Sequence, residues 1–300
     1  MASRSKPNAR PPLACEIFPD RVVAARVGET HDYLEVHTSR QLPAGAVQPS
    51  LTAANVLDAN VLSGRLGEAL GALSGRSRDV VAVVPDAAVR VVLLDFEQLP
   101  EEHAEALGVL RFRMKKSLPF DVEKAVISYH VHPTADGLKV IATVALASVI
   151  QEYEYAFVLA GYSPGIVLPS TLAALGVVDG DLPTLVIKVG EGITTVAIVD
   201  QQQLRLLRTL DLAGRAGLDA GRLADEIYPS LVFFEDQFGA SVQRILVGGS
   251  ASARDLSAAL GAHTSAPVED LVAERFLAGG LGSGPTANGT LAGVAGALLS

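Results

Sequence analysis

The chain has 300 residues, of which 49% are hydrophobic and 19% are charged, and its formal net charge is −9 at pH 7. This length and composition are typical of a globular protein with one large or two medium domains, and the negative charge argues against nucleic acid as the main partner. The single cysteine, Cys15, excludes a disulfide framework and a cysteine-based metal cluster, and the histidines show no zinc-binding spacing. No apolar run approaches the roughly 18 residues of a membrane-spanning helix. We therefore expect a cytoplasmic protein that does not insert directly into the membrane.

The first part of the sequence predicts three strands, a helix and a strand. Residues 1–12 predict a disordered arm, because Pro, Arg, Ser and Asn bury too little surface to become ordered. The apolar runs "LACEIF" and "RVVAARV" predict a β-hairpin around Pro19 and Asp20, and "YLEVHTSRQLP" predicts a third strand. The spacing of apolar residues in "NVLSGRLGEALGAL" predicts a helix that ends near Gly75, and "DVVAVVP" predicts a buried strand.

A second unit follows within the larger pattern. "RVVLLDFEQLP" predicts a strand, and "PEEHAEALGVLRFRMKKSL" predicts a helix with proline at its start and cations in its last turn. "AVISYHVH" and "LKVIATVALA" predict strands that are joined by a turn at Asp136 and Gly137. "VIQEYEYAFVLAGY" predicts a helix that closes the unit.

The opening pattern then recurs. "TLVIKVG", "TTVAIVD" and "QLRLLRTLDL" predict three strands, the last two joined by a turn at Gln201–Gln203. "DAGRLADEIYPSLVFFEDQFG" predicts a long helix bent at Pro229, and "RILVGGS" predicts a strand that leads into another helix. This internal repeat indicates a duplicated architecture. Residues 279–290 predict a flexible loop before the terminal helix "LAGVAGALL".

Four segments, taken in order, resemble the PilM family of type IV pilus assembly proteins and its relatives, FtsA and the cytoplasmic domain of GspL. They are "CEIFPDRVVAARV", the unit from "VRVVLLDF" to "AVISYHV", "LVIKVGEGITTVAIVD" and "RILVGGSASARDLSAAL". The resemblance implies an α/β, actin-like (ribonuclease H-like) fold of duplicated βββαβα subdomains with a small inserted α+β subdomain. It places the first subdomain at residues 13–90, completed by about 160–178, the inserted one at 91–159 and the second at 179–300.

The resemblance also places a nucleotide site between two phosphate loops, each with an aspartate that positions Mg²⁺. In the first loop Glu16 stands at the aspartate position, Phe18 stands at a glycine position, and Pro19 has no N–H to donate. A phenyl ring at the phosphate approach is sterically unfavourable, so we expect this loop to be disabled.

In the second loop Lys188 replaces the aspartate, although Gly190, Thr194 and Thr195 are retained. Two interpretations of Lys188 remain open: it contacts a phosphate directly, or it pairs with Glu16 across the cleft and neutralises a redundant site. The adenosine-side turn Gly248-Gly249-Ser250 is intact, but two glycines after a strand are also ordinary turn chemistry.

The sequence also lacks most of the helical subdomain that the family places in its second half to surround the ribose and base. Here only "AGRAGLDAGRLADEIYPSL" joins "RTLDL" to the long helix. We therefore expect neither ATP nor Mg²⁺ as a cofactor, no metal site and no catalytic residue. His130 and His132 share one strand face and predict solvent-facing histidines, and Cys15 predicts a small core residue.

By resemblance, the predicted function is a non-catalytic scaffold of a type IV pilus or related secretion assembly, held at the inner membrane by a protein partner. That partner is a bitopic PilN-like protein, whose cytoplasmic N-terminal segment occupies a groove between the first and inserted subdomains. Self-association is a further expected interaction. The residues expected to contact the partner are Arg111, Arg113, Lys115, Lys116, Phe120 and Tyr129.

Three alternatives stay open. The basic stretch "RFRMKKS" is also typical of a solvated helix face. The chain could instead be an active ATP-binding or ATP-hydrolysing actin-like protein that polymerises or switches with nucleotide, with Lys188 as its phosphate contact. It could also be a GspL-like cytoplasmic domain.

Overall fold

The computed structural model describes residues 10–73, 75–134, 137–211, 219–278 and 288–300. The elements of the first half and the insertion are β1 (Leu13–Ile17), β2 (Arg21–Val27), β3 (Leu34–Gln41), α1 (Ala59–Gly71), β4 (Asp79–Val84), β5 (Arg90–Phe96), α2 (His103–Met114), β6 (Ala125–Thr134) and β7 (Gly137–Leu146). They continue with α3 (Ala147–Leu159), β8 (Ser163–Pro169), α4 (Ser170–Ala174), β9 (Thr184–Val189), β10 (Ile193–Asp200), β11 (Gln203–Asp211), α5 (Ala220–Phe238), β12 (Arg244–Gly249), α6 (Ala253–Leu260), β13 (Val268–Asp270) and α7 (Ala292–Leu299).

Two five-stranded sheets repeat the same topology. Their strand orders are β3-β2-β1-β4-β8 and β11-β10-β9-β12-β13. In each sheet the first three strands of the repeat are antiparallel, and the remaining pairings are parallel. The predicted duplication is therefore confirmed. Only residues 212–219 lie between β11 and α5, which is too short for a helical subdomain.

The helices form layers around the two sheets. α1 and α3 cover the outer face of the first sheet, α5 and α6 cover the outer face of the second, and α4 and α7 pack between the inner faces. Because side chains alternate along a strand, Cys15 of β1 points to the outer core while Ala14 and Glu16 point inward. In β9, Ile187 points outward and Lys188 inward. Glu16 and Lys188 thus face each other from equivalent strands.

A third sheet, with the order β5-β7-β6, forms the inserted unit. α2 covers one of its faces, where Leu110 and Met114 pack against Ile127 and Val140. The predicted end of this unit at residue 159 differs from the structure, because α3 packs in the first core through Val149, Tyr153, Ala156 and Phe157. The helical spacing of these residues predicts a buried face but does not say which sheet the face covers.

Several predicted boundaries also shift. α1 ends at Gly71 rather than near Gly75, which lies beyond the helix with φ +125°. The end of α5 agrees with the prediction: the helix continues through Pro229 to Phe238, and Gly239 is its left-handed C-cap with φ +64°. The terminal helix α7, predicted within the second subdomain, packs against β1, β2 and β4 of the first sheet as well.

Some predictions fall outside the described residues. They concern most of the N-terminal arm, Asp136 of the predicted turn, and residues 279–287 of the predicted flexible loop. No helix within the described ranges combines the length and hydropathy that crossing a membrane requires.

The β10–β11 turn is strained. Gln201 and Gln202 form a two-residue hairpin turn with φ of 49° and 59°, a left-handed conformation that favours Asn and Gly. We expect Gln201→Asn with Gln202→Gly to raise the free energy of unfolding by about 1 kcal/mol, because left-handed backbone costs other residues roughly 1–2 kcal/mol each. Urea denaturation measures the change. The control Gln151→Gly, on the exposed face of α3, should lower the free energy of unfolding by about 1 kcal/mol; an equal loss in the turn variant would contradict the prediction.

Candidate functional site

An ion pair lies at the floor of the cleft between the two sheets. Lys188 Nζ lies 2.6 Å from Glu16 Oε1, and the two side chains are 5% and 0% exposed. Ser170, the first residue of α4, donates to Glu16 Oε1 at 2.5 Å and accepts a hydrogen bond from Lys188 Nζ. The structure therefore contains the pairing that one of the two interpretations of Lys188 predicts.

The second carboxylate oxygen of Glu16 is held against α7. Glu16 Oε2 is buried and has no hydrogen-bond partner among the described residues. A Cβ at Gly293 would lie 2.1 Å from this oxygen, so α7 can approach the carboxylate only with glycine at that position. Burial raises the pKa of Glu16, while the charge of Lys188 and the hydrogen bonds from Lys188 and Ser170 oppose the rise.

Phe18 covers the ion pair from the side of the first loop. Its ring centroid lies 5.5 Å from Lys188 Nζ, which is the geometry of a cation–π contact. The Phe18 N–H donates to the carbonyl of Arg21 at 2.8 Å and closes the β1–β2 hairpin. This backbone donor is therefore used within its own hairpin, and the next residue, Pro19, has none.

The second loop retains its hairpin shape. The Gly190 N–H donates to the carbonyl of Ile193 at 2.8 Å, and Gly192 has φ +79°. Thr194 is buried, and its hydroxyl has no hydrogen-bond partner in the part of the chain that the structure describes. Thr195, on the opposite face of β10, points into the cleft.

Asp86, which sequence reasoning missed, is the acceptor for Thr195. Its Oδ2 accepts from Thr195 Oγ1 at 3.0 Å and from Thr171 Oγ1, and its Oδ1 accepts from the Thr171 N–H at 2.9 Å. This carboxylate joins the first half to β10 and also binds the first turn of α4. Its position directly after the buried run "DVVAVVP" was the available signal.

The cleft above the ion pair encloses about 230 Å³. Of the described residues that line it, only Lys188 is basic, and Phe18, Pro19, Pro49 and Pro85 make its walls largely apolar. Lys188 is neutralised by Glu16, and three donors occupy Asp86. At the loop positions Glu16 and Lys188, the carboxylate and the ammonium group that could contact Mg²⁺ and phosphate are therefore bonded to each other.

The adenosine-side turn serves packing. A Cβ at Gly249, which has φ +86°, would lie 2.0 Å from the Val189 carbonyl oxygen, and the Ser250 N–H donates to that oxygen at 2.8 Å. A Cβ at Gly248 would lie 3.0 Å from Leu271 Cδ2. These contacts explain the two glycines by close approach of β12 to its neighbours.

The residues expected to contact a partner separate into two groups. The Arg111 guanidinium donates to the carbonyls of Val122 and Ala125, while Phe120 and Tyr129 are partly buried and pack against the core of the inserted unit. The remaining cations are exposed on and just beyond α2, and none of them forms a salt bridge with a described residue. They are Arg113, Lys115 and Lys116.

A second cavity, which we call the intersheet groove, lies between the first and inserted sheets. It encloses about 110 Å³ and has a mainly apolar lining. It is bounded by two edge strands, β6 and β8, and by α3. Val126 of β6 is 46% exposed there. The lining residues are Val84, Val89, Val126, Ser128, Thr143, Ala145, Ile150, Val167 and Pro169.

Two other predicted features have structural roles. His132 is part-buried and contacts the Gln203 side chain, so it links the inserted sheet to β11 instead of facing solvent. His130 is exposed. Cys15 is a buried core residue, as predicted, and burial together with the charge of Glu16 raises the pKa of its thiol.

Solved structures resemble the chain in architecture. The type IV pilus biogenesis complex PilM–PilN contains a chain of 20% identity with a TM-score of 0.78, and 98% of each chain is covered. The fold is actin-like. The ethanolamine utilization protein EutJ from Carboxydothermus hydrogenoformans has 10% identity and a TM-score of 0.53, with 97% of this chain and 90% of that chain covered.

The cytoplasmic domain of EpsL, an inner-membrane component of the type II secretion system of Vibrio cholerae, also has 10% identity. Its TM-score is 0.51, with 88% of this chain and 98% of that chain covered. No protein-family model and no curated protein matches the sequence. At these identities the likeness establishes the actin-like fold, which confirms the predicted fold class.

The buried ion pair of Glu16 and Lys188 should contribute to the free energy of unfolding. Lys188→Met leaves the Glu16 carboxylate buried and unpaired, so we expect a loss of about 3–5 kcal/mol in the free energy of unfolding. The double variant Glu16→Met/Lys188→Met should recover most of this loss, because apolar side chains of similar volume replace both charges. Urea denaturation measures both variants.

The matched control removes an exposed ion pair. Lys139 Nζ lies 2.7 Å from Asp95 at the protein surface. Lys139→Met should therefore cost less than about 1 kcal/mol. A loss in Lys188→Met no larger than in this control, or a double variant less stable than Lys188→Met, would contradict the assigned role of the pair.

Proposed function

We propose that the chain is a non-catalytic scaffold of a type IV pilus or related secretion assembly. In this role it lies on the cytoplasmic side of the inner membrane and recruits the cytoplasmic N-terminal segment of a bitopic membrane protein. Two observations support the proposal: the likeness to a chain of a PilM–PilN complex, and the ion pair that Lys188 forms with Glu16 at the floor of the cleft.

The ion pair of Glu16 and Lys188 carries the non-catalytic part of the proposal. In a nucleotide-binding actin-like protein, metal and phosphate supply the charge between the two loops. Here the same position holds a carboxylate and an ammonium group 2.6 Å apart. A phosphate that took Lys188 would leave Glu16 buried and unpaired, at a cost of about 3–5 kcal/mol. Direct phosphate contact by Lys188, the basis of the alternative ATPase function, carries this cost.

The intersheet groove carries the partner part of the proposal. β6 and β8 are edge strands in the described sheets, and an edge strand can accept an added strand from an extended peptide. Val126, Ile150 and Val167 provide apolar contacts for alternate side chains of that peptide. The groove also lies where the family resemblance places the partner segment.

The groove and the α2 cations lie on opposite faces of the inserted sheet. Along β6, Ile127 packs toward α2 while its neighbours Val126 and Ser128 line the groove. Lys115 and Lys116 follow α2 and are not among the residues that line the groove. We therefore assign partner recruitment to the apolar groove residues instead of the basic stretch.

Nucleotide binding is tested by thermal stability. We expect no shift in melting temperature with millimolar ATP and Mg²⁺. A ligand that binds only the folded state must raise stability, so an unchanged melting temperature indicates that ATP does not bind. The same measurement on Glu16→Gln is the informative comparison with the unmodified protein, because this variant lacks the negative charge that neutralises Lys188. A saturable rise in the melting temperature of the unmodified protein would overturn the non-catalytic proposal.

Partner recruitment is tested in the groove. The probe is a synthetic peptide copied from the cytoplasmic N-terminal segment of a bitopic inner-membrane protein encoded by a neighbouring gene. We expect Val126→Asp to weaken its binding at least about tenfold, because a carboxylate would be desolvated against apolar side chains. Isothermal titration calorimetry measures the affinity.

The control for the groove is charge reversal on the other face of the inserted sheet. Lys115→Glu with Lys116→Glu should bind the same peptide as tightly as the unmodified protein. Equal binding by Val126→Asp would exclude the groove, and loss of binding only in the charge-reversed variant would place the partner on the basic stretch.

A further inference from the structure

The end of α2 presents an exposed surface that combines apolar and basic side chains. Phe112 is 83% exposed, and Val109, three residues earlier, lies on the same side of the helix. Cations at a helix C-terminus are ordinary, because they complement the helix dipole, but the dipole does not explain a phenyl ring in solvent. We define the basic α2 patch as Val109, Phe112, Arg113, Lys115 and Lys116.

The outer side of α5 presents the opposite combination. Tyr228, Val232 and Phe233 are large apolar residues on the solvent-facing half of the helix. Asp225 and Asp236 lie on the same stripe, since the spacing 225, 228, 232, 236 follows the helical period. We define the acidic α5 patch as Asp225, Tyr228, Val232, Phe233, Glu235 and Asp236.

Most charged side chains of the two patches form no ion pair within the described part of the chain. The three cations of the basic α2 patch form no ion pair there, and neither does Asp236. Asp225 lies 3.1 Å from His263, whose ring also stacks on Tyr228. This contact orders one end of the acidic α5 patch and leaves the Val232–Asp236 end open to a partner.

The two patches belong to different structural units. α2 packs on the inserted sheet, and α5 packs on the second sheet, in separate hydrophobic cores. We propose that the basic α2 patch of one copy of this chain docks on the acidic α5 patch of a second copy. Because the two surfaces differ, the contact is heterologous and repeats head to tail, which produces a chain or a ring of copies.

A second copy fits the basic α2 patch better than a lipid surface does. Three cations and one phenyl ring could approach anionic lipid headgroups, but the whole chain carries a net charge of −9, which such a membrane repels. A membrane would also leave the acidic α5 patch without a partner. A second copy supplies apolar side chains and carboxylates together.

The contact area sets the expected strength. α2 has 12 residues and α5 has 19 residues, so two helix faces bury less than the roughly 1,600 Å² of a standard stable interface. The association should therefore be weak and should weaken further with salt, because exposed charges are screened within about 10 Å at 0.1 M ionic strength.

The test is charge reversal followed by mixing. We expect the average mass of the full chain in sedimentation equilibrium to rise with protein concentration. The variant Arg113→Glu/Lys116→Glu and the variant Glu235→Lys/Asp236→Lys should each associate at least about tenfold more weakly, because like charges then face each other. An equal mixture of the two variants should associate again, because each presents the charge that the other has lost.

Disulfide trapping gives a second measurement that detects weak contacts. Phe112→Cys and Val232→Cys should form a cross-linked dimer when mixed under oxidation, and neither should cross-link when incubated alone. The native Cys15 is buried and does not compete. The control is Gly64→Cys on α1, where an added Cβ meets nothing within 4 Å; it should not cross-link with either variant.

The outcomes separate the possible partners. A mass that stays monomeric at all concentrations, with no specific cross-link, overturns the proposal. Binding to phosphatidylserine vesicles that Arg113→Glu/Lys116→Glu abolishes, with no self-association, would assign the basic α2 patch to lipid instead. Neither result bears on peptide binding in the intersheet groove, so this inference and the proposed function fail independently.

Discussion

The buried ion pair between Glu16 and Lys188 joins the two five-stranded sheets at the floor of their cleft. The sheets come from the two halves of the chain, and each contributes one member of the pair from its central strand. Ser170 and Asp86 extend this polar connection to α4 and β10. In many clefts a ligand supplies the charge that bridges two lobes; here side chains of the chain itself supply it.

The position of the pair follows from the duplicated fold. β1 and β9 occupy equivalent places in the two sheets, so inward residues at equivalent positions approach each other across the cleft. Two carboxylates there would repel each other unless a cation lay between them. A carboxylate and an ammonium group attract each other. Their burial strengthens this attraction, so separating the two charges is costly. The apolar walls of the cleft, and Gly293 packed against Glu16, belong to the same arrangement.

The surfaces for possible partners lie outside this polar centre. The intersheet groove is lined by β6 and β8, which are edge strands of different sheets, and by Ile150 of α3. The basic α2 patch and the acidic α5 patch exist because the helices cover the inserted and second sheets with one face and leave the other face to solvent. Three candidate contact surfaces therefore lie outside the cleft: the intersheet groove, the basic α2 patch and the acidic α5 patch.

The sequence by itself determined the repeat and the order of most elements, because apolar periodicity is a local property of each segment. The resemblance of four segments to a known family then implied the actin-like fold class. The family resemblance placed Glu16 and Lys188 at the aspartate positions of the two loops and left their pairing as one of two interpretations, and the structure contains the pair. Tertiary structure alone decided that α3 belongs to the first sheet, that Arg111, Phe120 and Tyr129 serve the inserted core, and that Asp86 joins the cleft. These outcomes depend on which surfaces meet across long sequence separations, and periodicity identifies a buried face without naming what buries it.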